Sequence, residues 1–383
     1  MMSEQQHHNP ATKCWSSLPH DVCQHLPGRF ASVPRIPGCY EDVLEHLHHK
    51  DLQDTFTAIL VQLNTALTTV QRPTQPGEAP PTSHNLMDLA DIMFLYVGEL
   101  SIGRLYEAVV SLFAKDEDGS LQKKAYKIVN SMAETEPGRV SLKSTLEELV
   151  SNILDTTAAA TATATAKRAR LSLISHVVSL MDPTDLYSVP SILSEVIVAT
   201  KEVNEKTRDV AYDLLVAMGR KMKTGGIISS ERVGDMEGAP SETQATISEY
   251  LNMVTAGLAG TTPHMASAAI TSLSRLLFEF HKDLDPAMVS EMISTMHLFV
   301  NSSNREIVKS ALGFIKVTTI SLDVEIVHPH LQEIVSGIIR WSHGHKGHFK
   351  VKVRHILESW SVLSGDLAMM TLSRLFLMLT RSC

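Results

Sequence analysis

Apolar residues recur at helical spacing along most of this 383-residue chain. Leu52, Phe56, Ile59, Leu60, Leu63 and Leu67 fall on one face of a helix expected over 51–70. Further on, six segments repeat one pattern, a small or β-branched residue followed four positions later by an aliphatic one. The pairs are Ala125 and Val129, Ala169 and Leu173, Ala211 and Leu215, Ala269 and Leu273, Ala311 and Ile315, and Val353 and Leu357. Successive anchors lie 44, 42, 58, 42 and 42 residues apart. A period near 42 falls in the range of HEAT and armadillo repeats, roughly 40–47 residues. A small anchor lets neighbouring helices approach closely, and the aliphatic at i+4 shares its face. No single unit can bury that face, so the units must stack. The expected fold is all-α, an α-solenoid of HEAT/armadillo-type helical hairpins with no β-sheet.

The long step exceeds the others by 16 residues and holds Gly225, Gly226, Gly234, Gly238 and Pro240. Such a density of Gly and Pro cannot continue a helix, so a loop is expected over about 223–241.

The array is predicted to span 51–358, after a proline- and histidine-rich leader over 1–50 and before a divergent apolar segment over 359–383. Asn85 is a candidate N-cap for the second helix, and a third is expected from near Ser101. Each anchor helix should be followed by a second one, over 142–154, 186–200, 242–258, 288–300 and 324–341. Ser141 and Pro286 are start signals, while Pro190 and Pro329 mark late starts or kinks. The Thr/Ala alternation over 156–166 reads as a mobile link, because β-branched Thr lowers helix propensity.

Composition narrows the chemistry. Hydrophobic residues make up 44% and aromatics only 5%, which suits a helical core of Leu, Val, Ile, Met and Ala. The net charge of −8 argues against nucleic-acid binding through bulk positive charge, though a local patch stays open. The four cysteines, at 14, 23, 39 and 383, have no C-x-x-C spacing, so neither a disulfide framework nor a zinc site is expected. The apolar run from Leu367 to Leu379 is 13 residues and contains Arg374, short of the ~20 that cross a bilayer. No Walker A loop, dinucleotide fingerprint, nucleophile elbow or H-E-x-x-H occurs. His343, His345 and His348 cluster in a glycine-rich turn without a carboxylate or cysteine, a weak metal candidate. No cofactor, small-molecule substrate, membrane partner or catalytic residue is expected.

Basic residues are the more informative group. Arg340, Lys346, Lys350, Lys352 and Arg354 fall in 15 residues without Asp or Glu. Lys123, Lys124 and Lys127, then Lys167, Arg168 and Arg170, then Lys206 and Arg208, recur at the anchor helices. Repetition at one period would align them into a stripe for RNA phosphates or an acidic partner. Alternatively they solvate the outer face of a stack.

At the anchors the chain resembles a known family. Leu121–Val129, Lys206–Gly219, Ser321–Leu331 and Phe349–Glu358 are similar, in order, to stretches of the ribosomal RNA-processing protein 12 family. The resemblance covers approximately 85–358 and corresponds to the later repeats of a longer array. It implies a nuclear and nucleolar scaffold of ribosome biogenesis, with pre-ribosomal particles, rRNA and assembly or transport factors as partners. Two rivals come from other classes: a nuclear transport receptor or adaptor that binds peptides without RNA, and a hydrolase with an unrecognised site, which would show paired titratable groups with shifted pKa values in a pocket. After Glu358 the family's basic tail gives way here to an apolar end.

Overall fold

The computed structural model describes residues 48–68, 81–115, 117–154, 162–184, 186–229 and 242–344, with backbone alone for 338–344. The leader before 48, the four cysteines, the turn after Gly344 and the apolar C-terminal segment lie outside these residues.

The chain divides at Leu180 into two units. The first holds α1 (His49–Thr68), α2 (Thr82–Met93), α3 (Glu99–Val110), α4 (Gly119–Glu134), α5 (Glu136–Ser144), α6 (Leu146–Leu154) and α7 (Lys167–Leu180). The second holds α8 (Ser188–Ala199), α9 (Glu205–Lys223), β1 (Ile227–Ser229), β2 (Glu242–Gln244), α10 (Ile247–Ala256) and α11 (Pro263–Phe280). It ends with α12 (Pro286–Val300), α13 (Arg305–Ser321), α14 (Val324–Val327) and α15 (Leu331–Gly344).

Each unit is built of HEAT-type helical hairpins in two layers. In the first, α2 and the anchor helices α4 and α7 pack side by side, as do α1, α3 and α5 behind them. In the second, α9, α11 and α13 form the anchor layer, and α12 packs against α13 and α15. Contacts between anchor helices advance together along both partners: Asp88 meets Lys124, and three residues on, Asp91 meets Lys127. Helices α2 and α4 are therefore parallel, which requires α3 between them to run back; Arg220–Glu279 and Lys223–Asp283 show the same sense for α9 and α11.

The expected anchors account for the close packing. Ala125, Ala211, Ala269 and Ala311 are fully buried, and so are Val129, Leu173, Leu215, Leu273 and Ile315 four residues on. Ala169 differs, being only half-buried; its carbonyl accepts from Asn130 Nδ2 at 2.8 Å.

Local chemistry sets the helix starts. Asp118, Asn204, Thr262, Asp285 and Asn304 each accept backbone N–H groups at the first turn of their helices, satisfying donors that a helix leaves unpaired. Four expectations are corrected. Asn85 lies buried inside α2 rather than capping it. Thr135, with Pro137 behind it, starts the helix assigned to Ser141, and a break at Thr145 separates α5 from α6. Part of the Thr/Ala stretch is anchored: Thr163 N and Oγ1 both donate to Gln122 Oε1 at 2.9 Å, and Thr165 Oγ1 donates to Gly119 O. Residues 242–244 form a strand, and α10 starts at Ile247 behind the Thr246 cap.

That strand also corrects the expectation of no sheet. β1 and β2 pair antiparallel, Ile227 opposite Gln244 and Ser229 opposite Glu242, across the expected insertion. Gly225 and Gly226 turn the chain out of α9 with φ of 89° and 142°, where a side chain would be strained. A Cβ on Gly226 would also strike Pro183 O. The prolines behave as expected: Pro190 lies in the first turn of α8, and Pro329 lies in a 3₁₀ turn between α14 and α15.

Candidate nucleic-acid interface

The predicted basic residues meet different fates once helices are set beside one another. On α4, Lys123 is exposed. Lys124 forms an ion pair with Asp88, and Lys127 Nζ lies 2.7 Å from Asp91 Oδ2. That hydrogen bond to Asp91 pushes the Lys127 pKa up. Both acids come from α2, one repeat upstream, so these lysines stitch repeats together and carry little net charge outward. On α7, Lys167 is half-buried and Arg168 exposed.

Arg170 is a correction. Its residue is 1% exposed, and its guanidinium donates to Tyr126 Oη at 3.1 Å and to Ile153 O at 2.7 Å. Tyr126 stacks on Phe113 with ring centroids 4.2 Å apart. A side chain enclosed in this way cannot meet RNA; it ties α4, α6 and α7 together. Arginine suits the position because its rigid fork satisfies two acceptors in different directions.

In the second unit, Lys206 is exposed, while Arg208 Nη1 donates to the carbonyls of Glu202 and Val203 at 2.8 and 2.9 Å. Arg340 lies on α15 with its side chain outside the description, and Lys346, Lys350, Lys352 and Arg354 lie outside the described residues.

The structure brings forward cations that the sequence reading missed. Lys309 and Lys316 are exposed on α13, with Gly313 between them on the same stripe. Arg275 of α11 lies half-buried, its Nε enclosed with no hydrogen-bond partner among the described residues. Burial pushes the neighbouring Tyr212 phenol up, against the opposing positive charges of Arg208 and Arg275. Lys201 Nζ donates to Ser310 Oγ at 2.8 Å, within a hydroxyl cluster that includes Ser267 and Thr271. The acids Glu279 and Asp283 at the C-terminal end of α11 are taken up by Arg220 and Lys223 of α9. These cations are separated by apolar residues in sequence and so form no charge run; a window shifted by the helical period would have found Lys309 and Lys316.

Two further tyrosines are shifted by burial. Tyr250, wholly enclosed, is pushed up strongly by burial and donates to Leu215 O at 2.9 Å. Burial pushes Tyr106 up to about 12. Among the described residues no three His, Cys, Asp or Glu side chains gather as metal ligands, and no helix is long and apolar enough to cross a membrane.

Comparison with known proteins agrees with the resemblance at the anchors. Ribosomal RNA-processing protein 12 of Saccharomyces cerevisiae is 34% identical over 312 residues, which cover 81% of this chain and 25% of that protein. This chain is homologous to part of ribosomal RNA-processing protein 12. The putative protein of the same name in Schizosaccharomyces pombe is 30% identical over 74% of this chain and 23% of its own length. The human RRP12-like protein is 29% identical over 74% of this chain and 21% of its own. The chain thus spans about a quarter of the length of the curated relatives it matches. No family model matches. Among solved structures, a chain in the structure describing Kap95p binding to RanGDP aligns with 96% of this chain and 42% of its own at TM-score 0.49 and 12% identity. The karyopherin Kap121p bound to the protease Ulp1p aligns with 88% of this chain and 36% of its own at TM-score 0.44, also at 12% identity.

Proposed function

We propose that this chain is a non-catalytic scaffold in ribosome biogenesis. It supports pre-rRNA processing and the maturation and export of pre-ribosomal subunits, through contacts with rRNA, pre-ribosomal particles and assembly or transport factors, in the nucleus and nucleolus. The observation that carries this reading is the 34% identity to ribosomal RNA-processing protein 12 across 81% of the chain. The fold is consistent with it, because helical repeats work as extended binding surfaces. The RNA contacts assigned to this function are Arg340, Lys346, Lys350, Lys352 and Arg354, with Lys123, Lys167 and Arg168 as lesser contributors. Lys124 and Lys127 contribute only if their pairs with Asp88 and Asp91 open.

Two measurements test the proposal. The tagged chain, expressed in a eukaryotic cell, should co-purify with pre-ribosomal RNA; recovery of transport factors without that RNA would favour the adaptor reading instead. Purified chain should bind single-stranded RNA with a salt-dependent affinity whose log–log slope is about −0.7 per phosphate neutralised. Changing Lys346, Lys350, Lys352 and Arg354 together to Ala should flatten that slope by roughly 2–3 units. Equal slopes for parent and variant would remove the RNA role of this window.

A further inference from the structure

The exposed side of the anchor layer in the second unit carries a second basic surface, which no contiguous stretch of sequence announces. On α13, positions 309, 313, 316 and 320 follow one another at steps of 4, 3 and 4, and so form one stripe. Ala311, Ile315 and Thr318 point to the opposite side, into the core, which fixes this stripe as the solvent face. It reads Lys309, Gly313, Lys316, Ile320. A Cβ built on Gly313 meets nothing within 4 Å, so the helix backbone between the two lysines lies open.

Helix α11 runs alongside, joined through the Ser267–Ser310 contact at 2.9 Å. It presents Thr271, Arg275 and Phe278. Phe278 and Ile320 lie 42 residues apart, the repeat period, so they occupy the same turn of adjacent parallel helices. Both are large apolar side chains left in water, 49% and 62% exposed. Lys309 and Lys316 form no ion pair among the described residues, and the acids near the end of α11 are paired with α9. The surface therefore carries Lys309, Lys316 and Arg275 around a half-exposed aromatic ring, with the exposed acid Glu306 one turn before Lys309 at its edge.

We propose that this face, built from Arg275, Phe278, Lys309, Lys316 and Ile320, binds single-stranded RNA. The inference rests on the RNA-scaffold reading above and adds a site separate from the Arg340–Arg354 window. Lys309 and Lys316 stand about 10 Å apart along the helix, seven residues at a rise of 1.5 Å, and neutralise separate phosphates. Phe278 offers a face on which a base stacks, a contact every base can make, so binding is largely indifferent to sequence. The open backbone at Gly313 lets the strand lie close between the lysines. Arg275, half-buried one turn before the ring, adds a third positive charge near it. An acidic peptide would use the lysines but gains little from the flat ring and the bare glycine.

The test uses the full chain and a short oligouridine, titrated at several salt concentrations. Lys309→Ala with Lys316→Ala should weaken binding and flatten the log–log slope by about 1.4 units, two phosphates at ~0.7 each. Phe278→Ala should lower affinity roughly tenfold with the slope unchanged, because stacking releases no counterions. All three side chains are exposed, so circular dichroism and melting temperature should match the parent. An unchanged affinity and slope in the double variant, with RNA binding by the parent intact, overturns this site and leaves the scaffold reading standing. Failure of the parent to bind RNA overturns both. Loss of binding to a polyglutamate peptide, with oligouridine binding retained, assigns the face to an acidic protein segment and also overturns the proposal.

Discussion

Arg170 Nη1 donates a hydrogen bond to Tyr126 Oη at 3.1 Å, linking the first turn of α7 to the middle of α4. The two residues are 44 apart, one repeat step, and each directly follows its anchor alanine. One register position therefore holds a tyrosine in one repeat and its hydrogen-bonding arginine in the next.

Replacing Arg170 by Ala leaves Ile153 O and Tyr126 Oη without their donor and opens a cavity. Chemical denaturation should show a loss of about 2–4 kcal/mol. Arg170→Met, which refills the space but not the hydrogen bonds, should recover part of it. RNA affinity per folded molecule should stay at the parent value in both; a selective loss of RNA binding would return Arg170 to the interface.

Ala311 is fully buried where α11 packs against α13. Ala311→Leu should overpack this contact and lower stability by ~1–3 kcal/mol, read as a lower urea midpoint at unchanged m-value. A neutral outcome would show that the small anchor is not what sets the helix spacing.

Asp118 caps α4, accepting from Ser120 N at 3.0 Å and Leu121 N at 2.9 Å, while His84 Nε2 lies 2.8 Å from Oδ2. Partial burial works against ionisation, but the hydrogen bonds from Leu121, His84 and Ser120 outweigh it and hold the carboxyl below the usual carboxylate range. A depressed folded-state pKa gives stability that is present above the unfolded value and is lost as pH falls through the folded one. Acid denaturation should accordingly be less steep for Asp118→Ala, which should cost ~0.5–2 kcal/mol at neutral pH. Identical acid-stability profiles for the two proteins would contradict this account.

Two glycines should respond in opposite directions to one substitution. At Gly313 the added methyl meets nothing, so Gly313→Ala should raise stability by about 0.5–1 kcal/mol through helix propensity. At Gly138 the Cβ would lie 2.1 Å from Met132 O, so Gly138→Ala must displace the start of α5 and should lower the melting temperature.

The fold was legible because packing writes its period into the chain. Ala125, Ala211, Ala269 and Ala311 are enclosed as the 42-residue step requires. The chemistry of the charged residues was less legible, because charge alone does not reveal the partner. Lys124 and Lys127 are matched by acids 36 residues upstream, beyond any local window. Arg170 looks basic in sequence and is a core residue in the fold. Arg354 follows Val353 as Arg170 follows Ala169, so position in the repeat cannot by itself separate a core arginine from an RNA contact. Lys309 and Lys316 escaped notice for the converse reason, since apolar neighbours on the buried side dilute them along the chain. The ribbon of β1 and β2 was hidden because Ile227 and Gln244 belong to segments too short to show an alternating pattern.

That ribbon has a consequence for how the protein tolerates change. By pairing Ile227 with Gln244, and by hydrogen bonds from Ile227 to Pro183 and from Ala245 to Gly226, it fixes both ends of the excursion to the body of the second unit. The hairpins on either side should then keep their packing when residues are added between Ser229 and Glu242, which an unchanged melting temperature would check. Doubling the length of a flexible closed loop costs only ~0.6 kcal/mol. The position is thus the expected place in the chain to splice in a peptide or a small reporter domain while the repeats keep their phase.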